Sequence, residues 1–116
     1  MHVVTGTIVF GADLEPFVGA TVHARLEDVS HADAPARVAA ESVLREVGAG
    51  GKVPSRLAFT IEAPPLEPRA RYVVRVHVDV DVDGQVGVGD YVSTASHPVS
   101  VGDGATILSI PVKRVF

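Results

Sequence analysis

Asp79, Asp81 and Asp83 stand two apart, Gly84 follows them, and Asp90 falls at the twelfth position counted from Asp79. Carboxylates at positions one, three and five with glycine at six have the spacing of a calcium loop, where oxygen donors converge on a hard cation. Two features compete with that reading. Position twelve is Asp, not the longer bidentate Glu. The flanks alternate: Tyr72, Val74, Val76, Val78, Val80 and Val82 share one face, Asp83-Gly84 is a hairpin signal, and Val86, Val88 and Tyr91 continue a returning strand. Acids two apart on a strand line its wet face at separations of roughly 6–7 Å. They enclose no cation at about 2.3–2.6 Å unless the tip curls. The sequence predicts a solvated hairpin face, with no metal or cofactor, and leaves calcium as the competing reading.

The other reactive side chains form no recognised set. His2, His23, His31, His77 and His97 make neither H-x-x-x-H nor H-E-x-x-H. His77 lies two residues before Asp79, on the same outward face of a strand. There is no Gly-x-Ser-x-Gly elbow to support a serine nucleophile. Gly48-Ala49-Gly50-Gly51-Lys52 leads to Val53-Pro54 and not to a helix, so it is a turn and not a phosphate loop. No catalytic residue is predicted, and the chain is read as a non-enzyme.

These residues sit on a β framework. Val4 to Phe10 reads as a strand, and Gly11-Ala12-Asp13 with Pro16 as the loop after it. Ala20, Val22, Ala24 and Leu26 alternate strictly with Thr21, His23, Arg25 and Glu27, the pattern of a strand with one wet face. Ser30 to Pro35 is a connection in which Ser30 and Asp33 can each accept a backbone N–H. Arg37 to Val47 permits either helix or strand; strand is favoured because its surroundings are β and no capping box opens a helix. Leu57, Phe59 and Ile61 mark another strand, and Ala63 to Pro68 is too proline-rich for a sheet interior. His97 to Val101 leads to a turn at Gly102-Asp103-Gly104, and Pro111 suggests an edge position for the last strand, Ile107 to Val112. Seven or eight short strands predict an all-β, single-domain antiparallel β-sandwich spanning residues 1–116.

Composition narrows the function classes. A chain of 116 residues accommodates one ordinary core. With four Phe, two Tyr and no Trp, that core must come mainly from Val, Leu, Ile and Ala. A net charge of −4 argues against a nucleic-acid partner. Without cysteine there is no disulfide, thiolate metal site or lipobox. Met1-His2-Val3-Val4-Thr5-Gly6 has no basic or apolar leader region, and no apolar run is long enough for a membrane span. As written the chain is expected in the cytoplasm; a removed leader ending in a lipobox Cys would place it in the cell envelope.

Several blocks then line up. They are Thr5-Gly6-Thr7-Ile8-Val9, Leu14 with Gly19-Ala20-Thr21-Val22, Leu26-Glu27-Asp28-Val29-Ser30 with Ala32-Asp33-Ala34-Pro35, Val53-Pro54 before Phe59, and Pro68 with Arg71-Tyr72. In this order they resemble the YscW/YbaY-type domain, the type III secretion lipoprotein chaperones or pilotins. The resemblance implies a compact β-sandwich without catalytic residues, whose secretion members are outer-membrane lipoproteins that bind and localise a secretin ring subunit. It carries over no functional residues, because the matching positions are strands and turns. A transthyretin-like hydrolase is set aside: the chain closes on Val112-Lys113-Arg114-Val115-Phe116, not on Tyr-Arg-Gly-Ser.

The leading functional expectation is a binding domain for a protein or peptide, with strand edges available for augmentation. The alternative is a carbohydrate or cell-envelope binding module, weakened by having only Tyr72 and Tyr91 as larger polar aromatics. A Val-rich hairpin from Val73 to Val88 favours self-association and the acids on it oppose it, so a monomer or weak homodimer is expected.

Overall fold

The computed structural model describes residues 1–31, 33–50, 55–102 and 104–116. Expectations that fall on Ala32, on Gly51 to Pro54 and on Asp103 lie outside the described residues. Eight strands are formed: β1 (His2–Phe10), β2 (Phe17–Asp28), β3 (Arg37–Ala49), β4 (Arg56–Ala63), β5 (Tyr72–Asp79), β6 (Tyr91–Ser93), β7 (Pro98–Val99) and β8 (Ala105–Arg114). The fold is all-β, and the ambiguous Arg37 to Val47 stretch is a strand. Among the described residues there is no helix, hence none long and apolar enough to cross a membrane.

The strands join in the order β3-β2-β5-β6-β8-β1-β4, with β7 beside β5. β3 and β4, at the two ends, pack against each other, so one sheet curls into a nearly closed barrel. The architecture is therefore one continuous curled sheet instead of two separate ones. Pairing is antiparallel except between β1 and β8, which run parallel in the register Val4↔Thr106 to Phe10↔Val112. The predicted edge position of Pro111 is also corrected, since β8 lies between β6 and β1. The short β6 stops pairing at Ser93↔Val112, so the proline sits where no ladder partner on that side needs an N–H.

Alternation sends one side chain in two to the core. Val4, Ile8, Val22, Leu26, Ile61 and Ile110 have no exposed surface. With few aromatics the core is closed by tight fits. Phe59 lies opposite Gly6 across β1 and β4, and a Cβ on Gly6 would run into its ring. A glycine that costs strand propensity elsewhere here makes room for a buried aromatic.

The family-like block around Asp28 also has a structural job. Asp28 Oδ1 accepts the Ser30 N–H at 2.9 Å and the Ser30 hydroxyl at 2.5 Å. Ser30 Oγ in turn accepts the Arg71 N–H at 2.8 Å, and Val29 N–H donates to the Arg71 carbonyl at 2.9 Å. The hydroxyl and amide of Ser30 hold the Asp28 carboxyl below its ordinary value. This clasp pins the end of β2 to the start of β5.

Candidate functional site

β5 ends at Asp79, not at Val82, and residues 80–90 form a loop in place of the expected two-residue hairpin. The loop belongs to no strand, so Val86 and Val88 are not part of a returning strand; only Tyr91 opens β6. The expected wet row of Asp79, Asp81 and Asp83 is corrected with it. Asp79 and Asp90 are buried, while Asp81 and Asp83 are exposed. Strand alternation fails here because the carboxylates capture backbone donors that a ladder would otherwise use. Asp90 Oδ1 accepts the Val80 N–H at 3.0 Å and Oδ2 the Gly87 N–H at 3.1 Å. Asp79 Oδ2 accepts the Gly84 N–H at 2.9 Å, and its Oδ1 faces the Asp83 N–H at 3.4 Å. Gly84 and Gly89 take positive φ, and so does Val82 at 56°, a strained value for a β-branched residue.

The curled tip brings carboxylate oxygens of Asp79, Asp81, Asp83 and Asp90 within 4.8 Å of one another, and His77 joins Asp79 and Asp90 in a second such group. Burial pushes the Asp79 carboxyl up, but the Gly84 N–H, a hydrogen bond with Asp81 and the Asp83 N–H outweigh it and hold it lowered. Desolvation, that same hydrogen bond and the charges of Asp83 and Asp90 push Asp81 up. The two act oppositely on folding. The stabilisation from Asp79 is present above the ordinary carboxyl value of 3.8 and is lost as pH falls through its lowered one. The ionised Asp81 instead opposes folding once pH rises through its raised value. Asp81→Asn is expected to raise the melting temperature slightly at pH 7, a gain that shrinks toward pH 3 as the wild-type carboxyl protonates; melts across that range check it.

These four acids, and His77 with Asp79 and Asp90, are the groups among the described residues with the spacing to hold a divalent cation. The places a cation would take beside Asp79 and Asp90 are, however, filled by N–H donors and by His77. Calcium added to the chelator-treated protein is therefore expected to leave the melting temperature unchanged. A bound ion at about a hundredfold excess over Kd would contribute about 2.7 kcal/mol. A rise on the order of 4–8 °C would then identify the loop as a cation site.

Beside the loop, on the outer face of the sheet, lies a cleft of about 230 Å³. β2 and β5 set its floor through their register, His23 opposite His77 and Arg25 opposite Arg75. The two imidazoles stack with centroids 6.0 Å apart and planes 19° apart. His77 Nε2 lies 2.8 Å from Asp90 Oδ2. His23 Nδ1 is buried without a hydrogen-bond partner, 3.6 Å from Glu41 Oε2. Arg25 pairs with Glu41 through Nε, and Arg75 Nε with Glu27 at 2.8 Å. Val86 of the loop and Val92 and Ser93 of β6 form the wall. The arrangement offers guanidinium donors beside aliphatic surface. Sequence reasoning placed Arg25 and His23 on a wet face but missed the cleft, because no pattern within one strand shows which residue of β5 stands opposite.

The remaining candidates are dispersed. His2 is buried with Nε2 3.0 Å from Thr106 Oγ1, His31 is exposed, and His97 is half-buried. Tyr72 and Tyr91 are both buried, their hydroxyls bonded to the backbone of Glu67 and Glu15, so neither ring is a platform for a sugar.

A family model described as type III secretion system lipoprotein chaperone (YscW) matches residues 1–106. No curated protein sequence matches the chain. Among solved structures, an alternative pilotin from the type II secretion system of Vibrio cholerae is similar over 99% of this chain and 97% of that one. Its TM-score is 0.72 at 22% identity, a likeness of fold.

Proposed function

We propose, from the premise that this chain belongs to the YscW family of type III secretion system lipoprotein chaperones, that it is a non-enzymatic chaperone binding a secretin subunit. The observation that carries this reading is the family match over most of the chain. The site chemistry agrees with it. The histidines fall in separate places, apart from the stacked pair, and the buried acids are spent on backbone N–H groups instead of facing a substrate. The surface beside them, arginines next to valines, has the mixture of charge and aliphatic area that suits a protein partner.

The test is co-purification of the tagged chain with the secretin subunit encoded in the same genome, both expressed together. The expected result is a stable complex and a higher yield of intact secretin subunit. Failure to capture the secretin, with its yield unchanged, would reject the proposal.

A further inference from the structure

We propose that the open edge of β8, from Ala105 to Pro111, is the docking site, and that it takes a short extended segment of the partner as an added strand. This rests on the protein-partner reading above. β1 pairs with one side of β8 from Val3↔Ala105 to Phe10↔Val112, but β6 covers the other side only at Val112, Lys113 and Arg114. β7, which follows β6 in the chain, pairs with β5 and not with β8. Backbone groups along a strand turn alternately to its two neighbours. The Val115 N–H and C=O face Asp90 and Gly89 on the β6 side, whereas the Gly104 C=O faces Val3 on the β1 side. Counting in from either end turns the N–H and C=O of Ile107 and Ser109 away from β1, toward the uncovered side. Among the described residues no strand pairs with them there. Such groups are a ready template for another backbone.

Burial falls off along the same strand. Ile110 and Val112, at the end that β6 reaches, are buried, while Thr106 and Leu108 on the same core-facing side are only half-buried. An added strand would cover Leu108 from within and lie beside Ile107, 86% exposed, on the outer face. The edge also lacks the usual protection. Ala-Thr-Ile-Leu-Ser-Ile-Pro carries no charge, whereas β3, at an end of the sheet, carries Arg37, Glu41, Arg45 and Glu46 and packs against β4. Because β6 and β7 pair with the same side of β5, what stands across the opening is β7 of the same chain. A second copy would bring its own β1 and β7 along with its β8; a single segment needs only the width of a strand. The occupant that fits is an uncharged run of aliphatic and β-branched residues, with alternate side chains toward Leu108.

The experiment compares amide hydrogen exchange in the intact chain alone, in the complex co-purified with whole secretin, and with overlapping peptides covering the secretin subunit. The Ile107 and Ser109 amides should exchange freely in the chain alone and slow about tenfold or more in both bound states. The Leu108 and Ile110 amides, turned to β1, should be slow throughout. Ile107→Pro removes one outward donor where an open edge tolerates proline, and should weaken peptide and secretin binding about tenfold or more. Ile107→Thr keeps the N–H and should bind within about threefold of the wild type. Thermal melts check that both variants are folded. Equal losses in the two variants would mean that the Ile107 side chain, not its backbone, makes the contact, and would overturn strand addition. Secretin captured with both amides still fast would overturn the site while leaving the chaperone reading intact. Amides already slow in the chain alone would overturn the open edge, and a light-scattering mass of two copies would assign it to a second copy. Secretin captured with no peptide bound would overturn the linear-segment occupant. No secretin captured by the wild type would overturn both readings.

Discussion

Asp90→Ala is expected to lower the melting temperature on the order of 10 °C. Asp90 is 1% exposed, and its two oxygens take the Val80 and Gly87 N–H groups and His77. Alanine removes the acceptor, but these donors belong to half-buried residues that water can partly reach, so each of the three lost bonds costs about 1 kcal/mol. A total of about 2–4 kcal/mol is a large share of the stability of a domain this size. Asp90→Asn keeps one acceptor oxygen and should lose roughly half as much. The same change releases the 80–90 loop from the Asp90 carboxylate. Thermal melts, with hydrogen exchange at the Val80 and Gly87 amides, check both effects. A loss of only a degree or two with those amides still protected would show that something other than Asp90 holds the loop.

The contrast between Asp90 and its neighbours explains what the sequence could and could not reveal. Alternation alone was enough to place Ala20, Val22, Ala24 and Leu26 in the core, and all four are buried. For Arg37 to Val47 alternation only permitted a strand; the β surroundings and the missing capping box favoured it over the helix formers, and the segment is a strand. Alternation misplaced the stretch after Asp79. Val80 and Val82 keep the alternating pattern, but the Asp79 and Asp90 side chains compete for the backbone donors and end the ladder. The signal for a loop was already present in Asp-x-Asp-x-Asp-Gly with Gly87 and Gly89 close behind. Such glycine-rich acidic spacing favours side-chain capture of N–H groups whether or not a cation is bound. The cleft had no signal within any one segment. It depends on Arg25 meeting Arg75 and His23 meeting His77, which is a property of register.

Tyr91→Ala should cause the largest loss, about 3–5 kcal/mol by the behaviour of large-to-small aromatic substitutions in cores. At roughly 4 °C for each kcal/mol, melting falls by about 12–20 °C. Tyr91 is the largest fully buried side chain. In a core built mainly of Val, Ile and Ala it meets Phe10 edge-on at 5.1 Å and Phe17 at 5.6 Å. These three rings fill the end of the barrel where β1, β2 and β6 come together, and small aliphatic neighbours have little reach with which to collapse into the space left. The hydroxyl adds a second attachment: it accepts the Glu15 N–H at 2.8 Å and donates to the Glu15 carbonyl at 3.3 Å, tying the 11–16 loop to β6. Tyr91→Phe separates the two contributions. It keeps the ring and leaves the Glu15 amide, near the surface, to find water, so it should lose only about 1 kcal/mol. Comparable losses in both variants would mean that the hydroxyl clasp, not ring packing, holds this end of the barrel. Tyr91 also follows Asp90 directly, so Tyr91→Ala should expose the amides of both the 11–16 and 80–90 loops to exchange, whereas Asp90→Ala should expose only those of the second. That difference would establish the aromatic cluster as the foundation on which the acidic loop and its valines are held.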